Sequence, residues 1–258
     1  MHTVFRTTSV LGVVASCAAF ASVACADDDA PKANTLTAGF NAAPQSLYWY
    51  GELDHALNGD ADKTGYLLQT YASIAAYNYT NPLNSLGEID GTFYQFDVMA
   101  GYQVVRDGLT LSGYVGFDYQ DAKLRPNDPT TPVNGTRTGI KVSADIDYDD
   151  DKKPWTASVS TEYSSAYDTY YAQVRLGLRL CKKLVVGPEA EADGDTGYNG
   201  QSLGGWAKYT FDVTKDESYD VTLSAGHQFV DGSGASGASS GFAGSSGTYG
   251  SIELNTSF

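Results

Sequence analysis

Side chains alternate in character along nearly the whole of this chain, and the alternation runs to its last residue. From Thr248 onward, Thr248, Gly250, Ile252, Leu254, Thr256 and Phe258 share one parity; Tyr249, Ser251, Glu253, Asn255 and Ser257 share the other. Successive side chains of a strand point to opposite sides, so such a segment has one apolar and one polar face. One strand of this kind fits any half-buried sheet. About twelve in series restrict the chain to an all-β fold.

The period-two segments lie near Thr35–Asn41, Ser46–Leu57, Thr64–Tyr79, Thr92–Val105, Leu109–Gln120 and Thr136–Tyr148. Six more lie near Trp155–Tyr163, Thr169–Leu180, Leu184–Glu191, Gln201–Val213, Ser218–Phe229 and Thr248–Phe258. Some faces are sharply divided. Tyr170, Ala172, Val174, Leu176, Leu178 and Leu180 alternate with Gln173, Arg175, Gly177 and Arg179. Ile140, Val142, Ala144, Ile146 and Tyr148 alternate with Lys141, Ser143, Asp145 and Asp147.

The connections alternate too. Thr214–Glu217, Cys181–Lys183, Asp149–Pro154, Arg106–Gly108 and Asn58–Lys63 are short, and they fall at every second position. Between them fall Val230–Tyr249, Pro188–Gly200, Ala122–Gly135 and Thr80–Gly91, with Ser164–Tyr167 and Ala42–Gln45 as short exceptions. Short turns at one end and long loops at the other are the asymmetry of an outer-membrane barrel. A soluble sandwich or lipocalin-like barrel has no reason to sort its loops this way. The expected fold is an antiparallel up-and-down transmembrane β-barrel of about twelve strands, with its first strand closing on its last. Its inward set would include Arg175, Arg179, Lys141, Asp145, Asp147, Glu162 and Asp118, groups able to pair across a narrow lumen.

The N-terminus agrees with this compartment. Arg6 is the only charge before Asp27, an apolar run spans Val10–Ala26, and Ala24-Cys25-Ala26 forms an A-x-A site before Asp27-Asp28-Asp29. These are the regions of a cleavable secretory signal. The run is short for a helix that needs roughly 20 residues to span a bilayer. A lipidation box at Cys17 competes, but the apolar run continues past it. The expected division is a signal peptide at 1–26 and a barrel at 27–258 in the outer membrane. Tyr and Gly are abundant, at 19 and 28 residues, which suits aromatic girdles, a crowded lumen and loops. The formal charge of −15 makes nucleic acid an unsuitable partner. Cleavage leaves Cys181 as the single cysteine, so neither an intramolecular disulfide nor a multi-thiolate metal site can form.

Chemistry-bearing motifs are sparse. His55 and His227 are the histidines left after cleavage, and His227 shares a parity with Phe229 rather than with Ser224. No H-E-x-x-H occurs. G-x-S-x-G falls at Gly200–Gly204, at the start of an expected strand, and at Gly237–Gly241, and G-x-G-x-x-G falls at Gly232–Gly237. The last two lie in a run of nearly all Gly, Ser and Ala, so none of the three has the strand–turn–helix setting its chemistry needs. Asp193-Gly194-Asp195 begins like a calcium loop, but Gly197 and Tyr198 break the register. The expectation is therefore a chain with no catalytic residue, no cofactor and no metal.

The most specific stretch runs from Gly116 to Lys141. It contains Gly116-Phe117-Asp118-Tyr119, Pro126-Asn127-Asp128-Pro129 and Gly135-Thr136-Arg137-Thr138-Gly139-Ile140-Lys141. Together with Gly101-Tyr102 and Trp49-Tyr50-Gly51, these patches resemble the BcsS family of cellulose biosynthesis proteins. The resemblance implies a signal-bearing outer-membrane barrel that assists cellulose or exopolysaccharide output without being an enzyme. Its partners would be outer-membrane lipid, the barrel-assembly machinery, a glucan and its synthase complex. Tyr119, Arg125, Asn127 and Asp128 are the expected saccharide or partner contacts at the outer mouth. Phe258, an aromatic closing the last strand, resembles the signal by which bacterial barrels are recognised for assembly. Two other readings stay open: a general channel or structural barrel, and a small outer-membrane lipid hydrolase.

Overall fold

The computed structural model describes residues 31–80, 87–213, 218–231 and 245–258. Residues 1–30, with the expected signal peptide, and 81–86, 214–217 and 232–244 lie outside them. Twelve antiparallel strands form one closed barrel. They are β1 (Asn34–Ala43), β2 (Ser46–Ala56), β3 (Gly65–Thr80), β4 (Glu88–Arg106), β5 (Leu109–Arg125) and β6 (Gly135–Asp149), followed by β7 (Trp155–Ser164), β8 (Thr169–Cys181), β9 (Leu184–Asp195), β10 (Tyr198–Asp212), β11 (Ser218–Asp231) and β12 (Gly247–Ser257). Each expected period-two segment is one of them.

Closure is made by β1 on β12, from Thr35↔Ser257 to Ala42↔Gly250. The ladder runs on to the final residue, because the Asn34 and Phe258 amides each donate to the other's carbonyl at 2.9 Å. No backbone edge is left to face lipid, the condition for a sheet to span a bilayer. On β12 the faces divide as the parity requires. Ile252 and Leu254 are exposed on the outside, and Tyr249 is buried within.

The same division holds around the barrel. Val115, Phe117, Ile140, Val142, Leu176 and Leu223 are among many large apolar side chains left exposed on the outer wall. A continuous apolar surface of this kind is not stable in water and is suited to lipid. The start of β1 and the end of β12 lie at the end of the short turns. One of these is Asp107-Gly108, with φ of 52° and 78°, the two positive values of a tight hairpin that matches the strand twist.

The strands at the opposite end are longer than their periodicity indicates. The stretch expected as a loop at Pro188–Gly200 is a β9–β10 hairpin with only 196–197 between the strands. Asp193 and Asp195 point inward there and are buried. The strands therefore do not stop where apolar alternation stops, because the ladder needs only paired backbone groups. β5 likewise runs to Arg125, and only 126–134 form the connection to β6.

The tyrosines divide between the two faces. Tyr66, Tyr94, Tyr102, Tyr163, Tyr209 and Tyr219 stand outside, as girdles require. Tyr48, Tyr77, Tyr79, Tyr167, Tyr198 and Tyr249 are buried in a cluster with Ile89, Phe93, Leu124 and Val133. The barrel's apolar core is thus an aromatic plug within the outer, loop-bearing end. Glycine makes room for inward rings in the plug and below it. A Cβ on Gly91 would overlap the ring of Tyr77, and one on Gly101 would overlap Tyr114.

Candidate functional site

Below the plug the lumen is ionic. Lys141, 2% exposed, reaches inward from β6. Its Nζ lies 2.6 Å from Asp97 Oδ2 and 2.8 Å from Glu162 Oε2, and it sits 4.8 Å from the centre of the Tyr71 ring on β3. Asp118, beside Asp97 in the β4–β5 register, accepts from Gln120 Nε2 at 2.7 Å and from Ser164 Oγ. On the facing wall, Arg175 Nε lies 3.0 Å from Glu189 Oε2, and its Nη1 lies 3.7 Å from Glu253 Oε1. Glu189 also accepts from Tyr249 at 2.6 Å and from Ser224 at 2.9 Å. Each buried cation thus has carboxylate partners, and Asp97, Glu189 and Glu253 among them also accept from neutral donors, the condition under which buried charges are tolerated.

Between this layer and the short-turn end lies a cavity of about 500 Å³. Tyr48 closes it toward the plug, and its hydroxyl bonds that of Tyr71. Thr35, Ala56, Thr110, Asp147 and Asn255 line it near the chain ends. Tyr50, Tyr71, Tyr114 and Tyr171 present rings to it, with Tyr50 and Tyr71 stacked at 6.1 Å and 22°. Hydrogen bonds to acids fix three of these phenols. Tyr50 donates to Glu253 at 2.6 Å, Tyr114 to Asp54 at 3.1 Å and Tyr171 to Glu191 at 3.1 Å. Glu52, Asp145, Asp147 and Glu162 add further carboxylates, against Arg175 as the cation of the lining.

The four residues expected at the outer mouth do not converge. Tyr119 stands on the lipid-facing wall beside Phe96 and Thr138 in the register. Arg125 is exposed at the end of β5, opposite Asp90. Asn127 is exposed and accepts from Asn134 Nδ2 at 2.8 Å. Asp128 is fully buried, accepting from the Thr130 amide at 3.0 Å and from Tyr79 at 3.2 Å. The 126–134 connection therefore folds inward, with Val133 also fully buried, and forms part of the plug.

The other motif residues do meet. Asp118 and Lys141 belong to one buried network. Gly139, between them in the register, leaves room for Ser165 and Ala166 of the turn after β7. Asp145, Asp147, Glu162 and Arg175 line the cavity as part of the inward set expected from the sequence, whereas the cavity tyrosines and the acids of β2 escaped that reading. Their signal was present as Tyr50-Gly51-Glu52-Leu53-Asp54, where every second residue is polar or aromatic and points inward. The histidines stand apart from the cavity. His55 Nδ1 lies 2.9 Å from Asn34 Oδ1, and His227 packs outward on Phe229 at 4.8 Å.

Comparison with solved structures gives the translocator domain of the autotransporter NalP from Neisseria meningitidis, at 9% identity and a TM-score of 0.48, covering 95% of each chain. The β domain of the Bordetella autotransporter BrkA is 15% identical with a TM-score of 0.48, over 89% of this chain and 100% of that one. The outer-membrane phospholipase A of Escherichia coli is 15% identical with a TM-score of 0.38, over 87% of this chain and 89% of that one. A search of curated proteins finds no match to the chain. The profile of the family described as cellulose biosynthesis protein BcsS, by contrast, matches residues 36–258. That span takes in every strand from β2 to β12 and nearly all of β1, along with each patch on which the resemblance rested, so the chain belongs to the BcsS family of cellulose biosynthesis proteins.

Proposed function

We propose that this protein is a non-enzymatic outer-membrane accessory of cellulose production, delivered through a signal peptide cleaved after Ala26. The observation that carries the reading is the family match over 36–258, joined to a closed barrel with an apolar outer wall. The lumen supports an accessory role. Its outer end is filled by a hydrogen-bonded aromatic plug, and its inner half holds a polar, tyrosine-lined cavity. Such a barrel holds or orients a glucan, or a component of its synthase, at the inner surface of the membrane. The histidines support the same reading, since one is spent on Asn34 and the other on an outward aromatic contact.

The test is matrix glucan per cell in a deletion strain and its parent, under conditions where the organism makes cellulose. A drop in glucan with membrane integrity unchanged is expected. Unchanged glucan would return the general-channel or structural-barrel reading to first place. N-terminal sequencing of protein from isolated outer membranes checks the compartment, with Asp27 expected first. Recovery in soluble periplasm, or a lipidated Cys17, would contradict it.

A further inference from the structure

We infer that the lumenal cavity is a receptor for the end of a short, neutral, β-linked glucan chain entering from the short-turn, periplasmic side. The identity of the sugar rests on the cellulose reading above; its neutrality, length and direction of entry follow from the cavity itself.

Size comes first. A cavity of about 500 Å³ lies within the ~300–1,000 Å³ of small-ligand sites and takes a few sugar units rather than a polymer in transit. The lining then sets the chemistry. A β-linked pyranose has axial C–H groups on its two faces and hydroxyls around its rim. The C–H faces suit the electron-rich faces of aromatic rings, which Tyr50, Tyr71, Tyr114 and Tyr171 supply. The hydroxyls suit carboxylates, which are acceptors only and bind donors with charge-assisted strength. Because Tyr50, Tyr114 and Tyr171 are tied to Glu253, Asp54 and Glu191, ring faces and acceptors are fixed relative to each other before any ligand arrives. Preorganisation of this kind lowers the entropy cost of binding.

Charge selects among glycans. Arg175 is already held by Glu189 and Glu253. Glu52, Asp145 and Asp147 line the cavity and make no ion pair among the described residues. Glu52 and Asp54 hydrogen-bond each other and so share a proton, and a uronic-acid polymer would bring further carboxylates into a confined space whose lining cation is already paired, leaving buried charge unbalanced. A neutral glucan carries no such penalty. Direction follows from the ends of the cavity. Tyr48 and the plug beyond it stand at the outer end, while Gln103 holds the carbonyls of Ala61 and Lys63 in the β2–β3 connection beside the inner end, so a chain entering past that connection presents its terminus rather than threading through.

The experiment titrates the protein, purified from membranes in detergent, with cellopentaose, with an oligogalacturonate of equal length and with calcium chloride, each by calorimetry. Saturable heat with cellopentaose and none with oligogalacturonate is expected. Tyr171→Ala should weaken cellopentaose binding by about tenfold, as expected for loss of one stacked contact. Ser112→Phe, which fills the cavity from a small lining residue, should abolish it. Both variants are checked for native, heat-modifiable migration. If Tyr171→Ala does not fold, Ser112→Phe decides. Absence of cellopentaose heat in the wild type, equal heat with oligogalacturonate, calcium heat without sugar heat, or unchanged binding in Ser112→Phe would each overturn the proposal. If the deletion strain loses glucan but the barrel binds no cellopentaose, the receptor fails and the accessory role stands. If the barrel binds and glucan is unchanged in the deletion strain, the accessory role fails and the sugar site stands.

Discussion

Replacing Lys141 by Met tests whether the ionic layer behaves as a buried network or as a solvated channel lining. The ammonium has three partners: Asp97 at 2.6 Å, Glu162 at 2.8 Å and the Tyr71 ring at 4.8 Å. Their fates differ when it is removed. The Glu162 side chain is 31% exposed and borders the cavity, so water replaces the lost cation. The ring contact is worth about 0.5–2 kcal/mol. The Asp97 side chain is 1% exposed and keeps Gln95 Nε2, at 3.1 and 3.3 Å, and the neighbouring Asp118 carboxyl, neither of them a cation. A buried carboxylate stranded in this way costs about 3–5 kcal/mol, so Asp97 dominates the loss. Adding Asp97→Asn removes the stranded charge and keeps an acceptor for Gln95. The double variant should then lose only about 1–2 kcal/mol, the scale of the missing hydrogen bonds.

The assay is urea unfolding in lipid vesicles, followed by tryptophan fluorescence and by the mobility of unheated protein on gels. The diagnostic quantity is the coupling in the double-mutant cycle. The double variant should be more stable than Lys141→Met alone. Two results refute the reasoning: a loss below about 1 kcal/mol for Lys141→Met, or additivity of the two substitutions to within ~0.5 kcal/mol. Either would mean that water reaches Asp97 and screens it.

Removing Phe258 deletes the residue that pairs with Asn34 at closure. Its burial is worth about 1.5–3 kcal/mol at most, yet folded barrel in membranes should fall far more if the terminal aromatic is read during assembly. Equal amounts of heat-modifiable protein in wild type and deletion would contradict this. Gly101→Val places a branched side chain where the Tyr114 ring lies and should cost about 1–3 kcal/mol, recovered in part by Tyr114→Ala; no recovery in the pair would show that the ring is not the obstacle. Asp128→Ala removes the acceptor for Thr130 and Tyr79, so protease should cut within 126–134 faster, with a loss of about 1–2 kcal/mol. An unchanged cleavage rate would place Asp128 outside the forces that hold the loop in the mouth.

Most of the barrel was legible because two constraints coincide in its sequence. A strand in lipid must show an apolar side every second residue, and a closed barrel must return the chain after each crossing. β8 displays the first constraint, with Val174, Leu176, Leu178 and Leu180 outward and Arg175 inward. The hairpin of β9 and β10 shows where the signal runs out. Beyond the membrane neither face needs to be apolar, so Glu189-Ala190-Glu191-Ala192-Asp193-Gly194-Asp195 resembles a loop while remaining fully laddered to Tyr198–Gly204 of β10. The tyrosine content was ambiguous for a related reason. A tyrosine serves equally at a lipid interface or over a lumenal glycine, and composition does not say on which side of the wall it stands.

The candidate site was hidden by a different limit. Period two gives the face of a residue but not its height along the barrel axis, and height depends on the stagger of every strand pair. Asp118 and Lys141 are 23 positions apart, in β5 and β6, and only the register Asp118↔Gly139 places them two residues from the same level. Tyr119 and Asp128 appear close in sequence, but the strand turns one to the outer wall and the connection folds the other into the plug. The loop with the most distinctive residues was therefore the natural place to expect binding, and it is packed against Tyr79. A ligand entering the cavity as proposed would meet instead Tyr50, Asp54, Tyr114 and Tyr171, drawn from three different strands. If binding in this barrel is lumenal, its specificity is encoded in stagger rather than in any contiguous stretch. Substitutions that shift the register of one strand pair should then alter sugar binding more than substitutions anywhere in 126–134.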